Sequence, residues 1–294
     1  MKMRSKDFRA GEGDQINLRK WPTNVEPIYK SNKEYQKLLE EHIAKLSALQ
    51  QLLYASNRYA VLLIFQALDA AGKDSTIEHV MSGVNPQGVS VYSFKAPTEE
   101  ERLHHFLWRP MRVLPAAGTI AIFNRSYYEE VLVVRVHPEF LDGQLLTRER
   151  HKQDLSDLWQ SRYDNINAFE KSLARENTRV LKFFLHVSRE EQRQRFLKRL
   201  DDPEKNWKFS VADLKERSHW DEYQTAYQDM LRATSTEDAP WYIIPADKKW
   251  FMRACVADII STELRGLGLE YPHVGEREAV ALAEAKKQLE AEQG

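Results

Sequence analysis

The chain has 294 residues, with 43 lysines and arginines against 44 acidic residues and a formal net charge of −1. That balance excludes a globally basic nucleic-acid or membrane-surface binder, so affinity for a polyanion would have to be built locally. With 42% hydrophobic and 30% charged residues, the composition is that of a globular protein with a useful core. No apolar run approaches the roughly 20 residues of a membrane-spanning helix.

The first 30 residues are polar, with scattered prolines and glycines, and read as an irregular arm. The arm carries no apolar signal-peptide run, and the single cysteine, Cys255, sits in an apolar helical pattern as a small hydrophobe. Both features predict a reducing, cytoplasmic setting. Ser31 to Glu34 resembles a capping box, and a helix should follow with apolar residues at Tyr35, Leu38, Leu39, Ile43, Leu46, Leu49 and Leu53. Residues 1–54 thus form an arm and helix ahead of a core over 55–270.

Tyr59 to Phe65 is almost wholly apolar and reads as a strand buried on both faces. A loop over Ala67 to Lys73 and a helix over Ser75 to Met81 come next. Further strands are expected at Val89–Phe94, Thr119–Phe123, Val180–Val187 and Trp241–Ile244. Helices are expected at Glu99–Trp108, Tyr127–Val134, Arg150–Ala174 and Lys249–Leu264, and in the Ala-, Glu- and Lys-rich tail over 271–294. Strands alternating with helices predict an α/β fold with a doubly wound, parallel, five-stranded sheet flanked by helices.

Three stretches carry the chemistry. The first is Phe65-Gln66-Ala67-Leu68-Asp69-Ala70-Ala71-Gly72-Lys73-Asp74-Ser75-Thr76. A buried strand, a turn of small residues, Gly-Lys and a helix start make a phosphate cradle from backbone N–H groups and an ammonium. The strict pattern G-x-x-x-x-G-K-[ST] is not met: Ala67 replaces the first glycine, and Asp74 stands where a magnesium-binding hydroxyl is expected. A divalent metal would need another oxygen ligand, and Asp69 is a candidate. The plainer alternative is a mere strand-to-helix turn. The second stretch is Ile122-Phe123-Asn124-Arg125-Ser126-Tyr127-Tyr128-Glu129-Glu130, at the C-terminal end of a strand. Ligands of open α/β sheets bind at that edge, and Arg125 can hold phosphate oxygens there. A solvated helix start would explain the two glutamates equally. The third is Gln192-Arg193-Gln194-Arg195-Phe196-Leu197-Lys198-Arg199-Leu200, in which Arg195, Lys198 and Arg199 share a helix face. Beside a cradle such a face suits a charge-neutralising lid, and otherwise a solvated surface.

Together these segments resemble the polyphosphate kinase 2 family, in order from about residue 30 to 270. Asp-Ala-Ala-Gly-Lys at 69–73 looks like its Walker A loop, and the run at 123–136 looks like its Walker B region. The stretch 191–210 looks like its lid, placed at about 189–220. Asn124 and Glu-Glu-Val-Leu-Val-Val resemble the class III branch, associated with phosphorylating both AMP and ADP. The resemblance implies a P-loop kinase-like core with a helical lid and Mg2+-dependent transfer (Mn2+ being an alternative) between inorganic polyphosphate and adenine nucleotides. It also implies a homo-oligomer. Asp69 and Glu130 would hold metal, Lys73 the polyphosphate chain and Arg125 the transferring phosphate. Glu129 would lie near the base and help admit AMP, and Arg109 would bind the acceptor phosphate. Arg195 and Arg199 would be lid arginines, with Ala70, Ala71, Gly72, Asp74, Ser75, Asn124, Lys198 and Lys208 completing the substrate contacts. On the residues alone, an ATP-dependent nucleotide kinase and a non-catalytic phosphate-binding module stay open.

Overall fold

The computed structural model describes residues 5–26, 28–144, 146 and 155–292, without the side chains of Ser5 and Lys208. A two-residue strand β1 (Arg9–Ala10) precedes helix α1 (Asn32–Ser56), β2 (Ala60–Gln66), α2 (Lys73–Met81) and β3 (Val89–Ser93). Two short helices, α3 (Glu99–Arg102) and α4 (Trp108–Met111), lead to β4 (Ile120–Asn124) and α5 (Val133–Val136). The chain continues with α6 (Leu155–Arg175), β5 (Thr178–His186), α7 (Arg189–Asp201), α8 (Val211–Ser218) and α9 (Trp220–Thr234). It closes with β6 (Trp241–Pro245), α10 (Lys249–Gly266) and α11 (Glu276–Ala291).

The sheet order is β1-β6-β5-β2-β4-β3, so the sheet has six strands where five were predicted. The five longer strands run parallel, and β1 pairs antiparallel with β6 through Ala10 opposite Trp241. Two residues are too few to show a period, so this strand lay hidden in the arm; the hydroxyl of Ser235, donating to the Ala10 carbonyl at 2.7 Å, helps hold it on the sheet edge. Every residue of β2 is buried, as expected of a central strand covered on both faces. One face carries α1, α2 and α10, with Leu46, Leu53, Leu63 and Ile260 in a common core. The other carries α6 and α9, where Ile64, Phe123, Ile166 and Met230 pack together.

Helix α1 begins at the expected cap, Ser31 Oγ accepting the Glu34 N–H at 3.2 Å. Two predicted helices break up. Over 99–108 only Glu99–Arg102 and the start of α4 are helical, and His105 Nδ1 accepts the Leu107 N–H at 3.2 Å between them, a local bond that competes with helix continuation. Tyr127–Val131 is a 3-10 turn that leads into α5. The predicted start of the helix at 150–154 lies outside the described residues, and α6 is helical from Leu155. Helix α8 falls within the expected helical lid at about 189–220, and α9 occupies a stretch left unassigned from sequence. Helix α11 forms as expected and has no buried residue. Among the described residues no helix is long and apolar enough to cross a membrane.

Strand β2 lies between β4 and β5, so the chain leaves its C-terminal end at the point where the strand order reverses. In open α/β sheets the crevice at that point receives ligands.

Candidate active site

The turn after β2 is held in an unusual backbone state. Ala70 has φ 59° and Gly72 φ 103°. A Cβ on Gly72 would stand 3.3 Å from Met252 Cε, which would have to give slightly, so it is the φ that favours glycine there. Strain at Ala70 persists because neighbours fix the turn. Three successive carbonyls are gripped from α7: Gln192 Nε2 donates to Asp69 O at 2.9 Å, and Arg195 Nη1 donates to Ala70 O at 3.1 Å and Ala71 O at 2.6 Å. Residues 192 and 195 share one face of that helix. Peptide planarity then points the N–H groups of Ala70 and Gly72 away from α7, while that of Ala71 bonds to Leu68 O at 3.2 Å inside the turn.

Lys73 folds back over the same turn, Nζ donating to Ala67 O at 2.7 Å. Burial lowers the pKa of its ammonium and the Arg125 charge lowers it further, opposed by Asp69, Glu129 and Asp74. Ser75 and Thr76 do not face a ligand with their hydroxyls; both donate to Gly72 O, at 3.2 and 2.8 Å. Asp74 accepts from Asn124 Nδ2 at 2.6 Å, tying the start of α2 to the end of β4.

Arg125 follows β4 with φ 64°, a second non-glycine residue in the left-handed region. Its guanidinium bonds to Asp69 Oδ1 at 2.9 Å and lies 3.7 Å from Glu129 Oε2. Glu129, then burial, then Asp69 dominate its charge state, the two acids raising its pKa and burial lowering it. Burial pushes the Glu129 carboxyl up, against the pull of Arg125 and Lys73.

Asp69, Arg125 and Glu129 border a cavity of about 290 Å³ whose lining does not include Lys73. Ala67, Leu68, Asp69, Arg125, Glu129 and Val133 form its floor, and Gln192 stands at one side. Asp213, Glu216 and Arg217 of α8 and the aromatic Trp220, Tyr223 and Tyr227 of α9 close the rest. Burial raises the Asp213 carboxyl, and the facing Asp69 adds to this. Acidic groups outnumber basic ones on this lining, so a polyphosphorylated ligand would have to arrive with cations of its own.

The polyphosphate kinase 2 family model matches residues 29–267. The chain belongs to the polyphosphate kinase 2 family. It is 51% identical over 289 residues to the ADP-polyphosphate phosphotransferase of Rhodopseudomonas palustris, covering 98% of this chain and 99% of that protein. It is 50% identical over 228 residues to the AMP/ADP-polyphosphate phosphotransferase of Meiothermus ruber, covering 78% and 80% of the two. The crystal structure of polyphosphate kinase 2 from Arthrobacter aurescens superposes with a TM-score of 0.85 at 38% identity, covering 96% of each chain.

Of the residues singled out in sequence, this polyphosphate kinase 2 fold brings Asp69 to Ser75 together with Asn124, Arg125 and Glu129. It does not bring Glu130 there. Arg162, itself buried, holds the Glu130 carboxylate at 3.1 Å, Gln144 Nε2 donates to it at 2.8 Å, and Glu130 is not on the lining of the cavity that Asp69 borders. Adjacent residues on the turn project to different sides, and it is Glu129 that lines the cavity. Arg195, expected as a lid arginine over the phosphates, is engaged with the protein itself. It is buried and spends its guanidinium on the Ala70, Ala71, Ala246 and Asp247 carbonyls and Glu191, bracing the turn from behind. Arg199 lies 3.7 Å from Asp213, and Lys198 is exposed on α7. Arg109 is held by the Lys95 carbonyl at 2.9 Å and Glu101 at 3.1 Å, beside β3. The Lys208 side chain lies outside the described residues.

Gln192, Asp213, Glu216, Arg217 and the three aromatics were missed as site residues. Positions 213, 216, 220, 223 and 227 recur every three or four residues. That spacing was a readable signal for one shared face.

Replacing Arg125 by lysine should keep the charge but lose the fork that spans Asp69 and Glu129. Steady-state kinetics should show turnover down by about 100-fold, the scale for removing one aimed donor. A full rate in the folded variant would remove Arg125 from the reacting centre.

Proposed function

We propose that the protein transfers the terminal phosphoryl group of inorganic polyphosphate to ADP and AMP, reversibly and with a divalent metal ion. The observation that carries this reading is the strand–turn–helix cradle, with its carbonyls pulled back by Gln192 and Arg195 and Lys73 beside it, opening at the switch point next to Arg125. Family membership and the names of the two relatives support polyphosphate as donor, and the Meiothermus ruber relative supports AMP as well as ADP.

An oxygen of the nucleotide's terminal phosphate is already a nucleophile, so no side chain need remove a proton. The work left to the protein is alignment and charge neutralisation. Arg125 and Lys73 would hold phosphate oxygens, and the Ala70 and Gly72 amides would orient the chain of anions. Glu129 would sit beside the acceptor and help admit AMP. Asp69 would hold Mg2+ or Mn2+, which when bound supplies positive charge on the phosphate oxygens. It fits this use: its carboxylate is partly open to the cavity, and such an ion takes one or two carboxylates with the rest of its ligands from phosphate and water. Glu130 is left out of that set because Arg162 and Gln144 occupy it.

A comparison of donors at equal magnesium tests the reading. Polyphosphate with ADP should give ATP at least ~100-fold faster than ATP drives phosphorylation of any small acceptor, a discrimination that separates substrate classes. Equal rates with ATP as donor would favour a nucleotide kinase, and no product with either donor would favour a phosphate-binding module.

A further inference from the structure

Gln192 is buried, and its side-chain amide is used at both ends. Nε2 donates to Asp69 O at 2.9 Å, and Oε1 accepts from Arg217 Nη1 at 2.6 Å. The same Arg217 nitrogen donates to Arg189 O at 2.9 Å, the first residue of α7. One amide therefore connects α8, which closes one wall of the cavity, with the peptide preceding the strained Ala70. Only a carboxamide can do this. A carboxylate could accept from Arg217 but would oppose the Asp69 carbonyl with a second acceptor, and an apolar side chain would leave both partners unmatched. The two partners also fix which way the amide points, since a flip would set oxygen against oxygen.

Asp69 lies at the other end of this connection. Its carbonyl is held by Gln192, while its carboxylate holds Arg125, itself in the left-handed region. A displacement of α8 that withdraws Arg217 loosens the amide and with it the peptide that places the Asp69 side chain. Among the described residues Arg217 has no hydrogen bond to the turn of its own; its hydrogen bonds run to Gln192 and Arg189, and its guanidinium lies over the Trp220 ring. Arg195 grips the next two carbonyls from the same helix face but makes its other bonds to the Ala246 and Asp247 carbonyls and to Glu191, not to α8. It can brace the turn without sensing the lid.

We propose that Gln192 is a positioning residue that couples the seating of α8 over the cavity to the geometry of the phosphate-binding turn, so that the turn is fully set only when α8 is closed. The kinetic part of this proposal rests on the phosphotransferase reading above.

The test uses the full chain with Q192L, R217M and the double variant. Hydrogen exchange of the segment 66–76 is measured alongside turnover with ADP and polyphosphate. R217M alone should speed exchange in that segment by about threefold although Arg217 does not touch it, a local opening of the kind exchange detects. Q192L should do the same, and the double variant should add nothing. Turnover should fall about tenfold in each single variant and no further in the double, the signature of two residues acting as one unit. KM for polyphosphate should stay within about twofold, because the effect is on alignment rather than on ground-state binding. R217M, at a half-buried position, keeps the question open to measurement if Q192L folds poorly. Unchanged exchange in R217M, or losses of turnover that multiply in the double variant, would overturn the coupling. A parent chain that makes no ATP from polyphosphate would overturn the functional reading instead, and the exchange data would still decide the coupling.

Discussion

Alanine at Lys73 should lower ATP formation from polyphosphate by about a thousandfold, the upper end for removing one preorganised charge from a transfer site. Few water molecules can take the place of this ammonium, because it is buried against the turn and donates to the Ala67 carbonyl. Burial and Arg125 both lower its pKa while Asp69, Glu129 and Asp74 raise it, so it is a buried charge with acidic neighbours that phosphate oxygens would join. Losing the bond to Ala67 should itself cost only about 1 kcal/mol of stability, the usual net value of a hydrogen bond. Activity and folding should therefore separate: product analysis should show almost no ATP, while thermal unfolding shifts by a few degrees. Normal turnover in a folded Lys73→Ala protein would end the assignment of Lys73.

Methionine at Lys182 should have the largest effect on stability. Lys182 is fully buried in β5, and all three of its N–H bonds are used, to Glu170 Oε2 at 2.6 Å, the Tyr128 hydroxyl at 2.9 Å and Thr234 O at 2.6 Å. Glu170 Oε1 in turn accepts from the hydroxyls of Tyr127 at 2.7 Å and Tyr128 at 2.8 Å. Removing the ammonium would leave a carboxylate in the core, which costs about 3–5 kcal/mol in comparable buried pairs. Urea unfolding should read that loss, and a change below about 1 kcal/mol would show that the pair is dispensable. Adding Glu170→Gln should recover part of it, because the stranded charge is then gone. The network reaches the active site as well. Tyr127 and Tyr128 start the turn that carries Glu129, so a residual loss of turnover in the doubly substituted protein would measure how far this buried pair sets the floor of the cavity.

Local pattern carried much of this architecture. A run such as Ala60–Phe65, apolar throughout, has few stable outcomes other than a central parallel strand, and Gly72-Lys73 after it marks a turn that opens a helix. The alternation of strands and helices was legible for the same reason, since burial on both faces removes the need for a polar period. What failed were short or locally contested elements. Arg9–Ala10 is too brief to show periodicity, and the helix expected over 99–108 yields to a His105 bond that hydropathy does not encode.

The sequence by itself determined the strand–turn–helix over 65–76 as a candidate phosphate cradle, the candidate second stretch at Ile122–Glu130 and the family, because each depends on residues that are neighbours in the chain. Only the tertiary structure decided which carboxylate faces the cavity, that Arg195 braces the turn rather than covering it, and that Gln192 joins α8 to Asp69. Those outcomes depend on contacts between residues as much as 125 positions apart, as for Arg195 and Ala70. A buried guanidinium or carboxylate takes whichever partner satisfies its hydrogen bonds, and that partner is set by packing and not by sequence spacing.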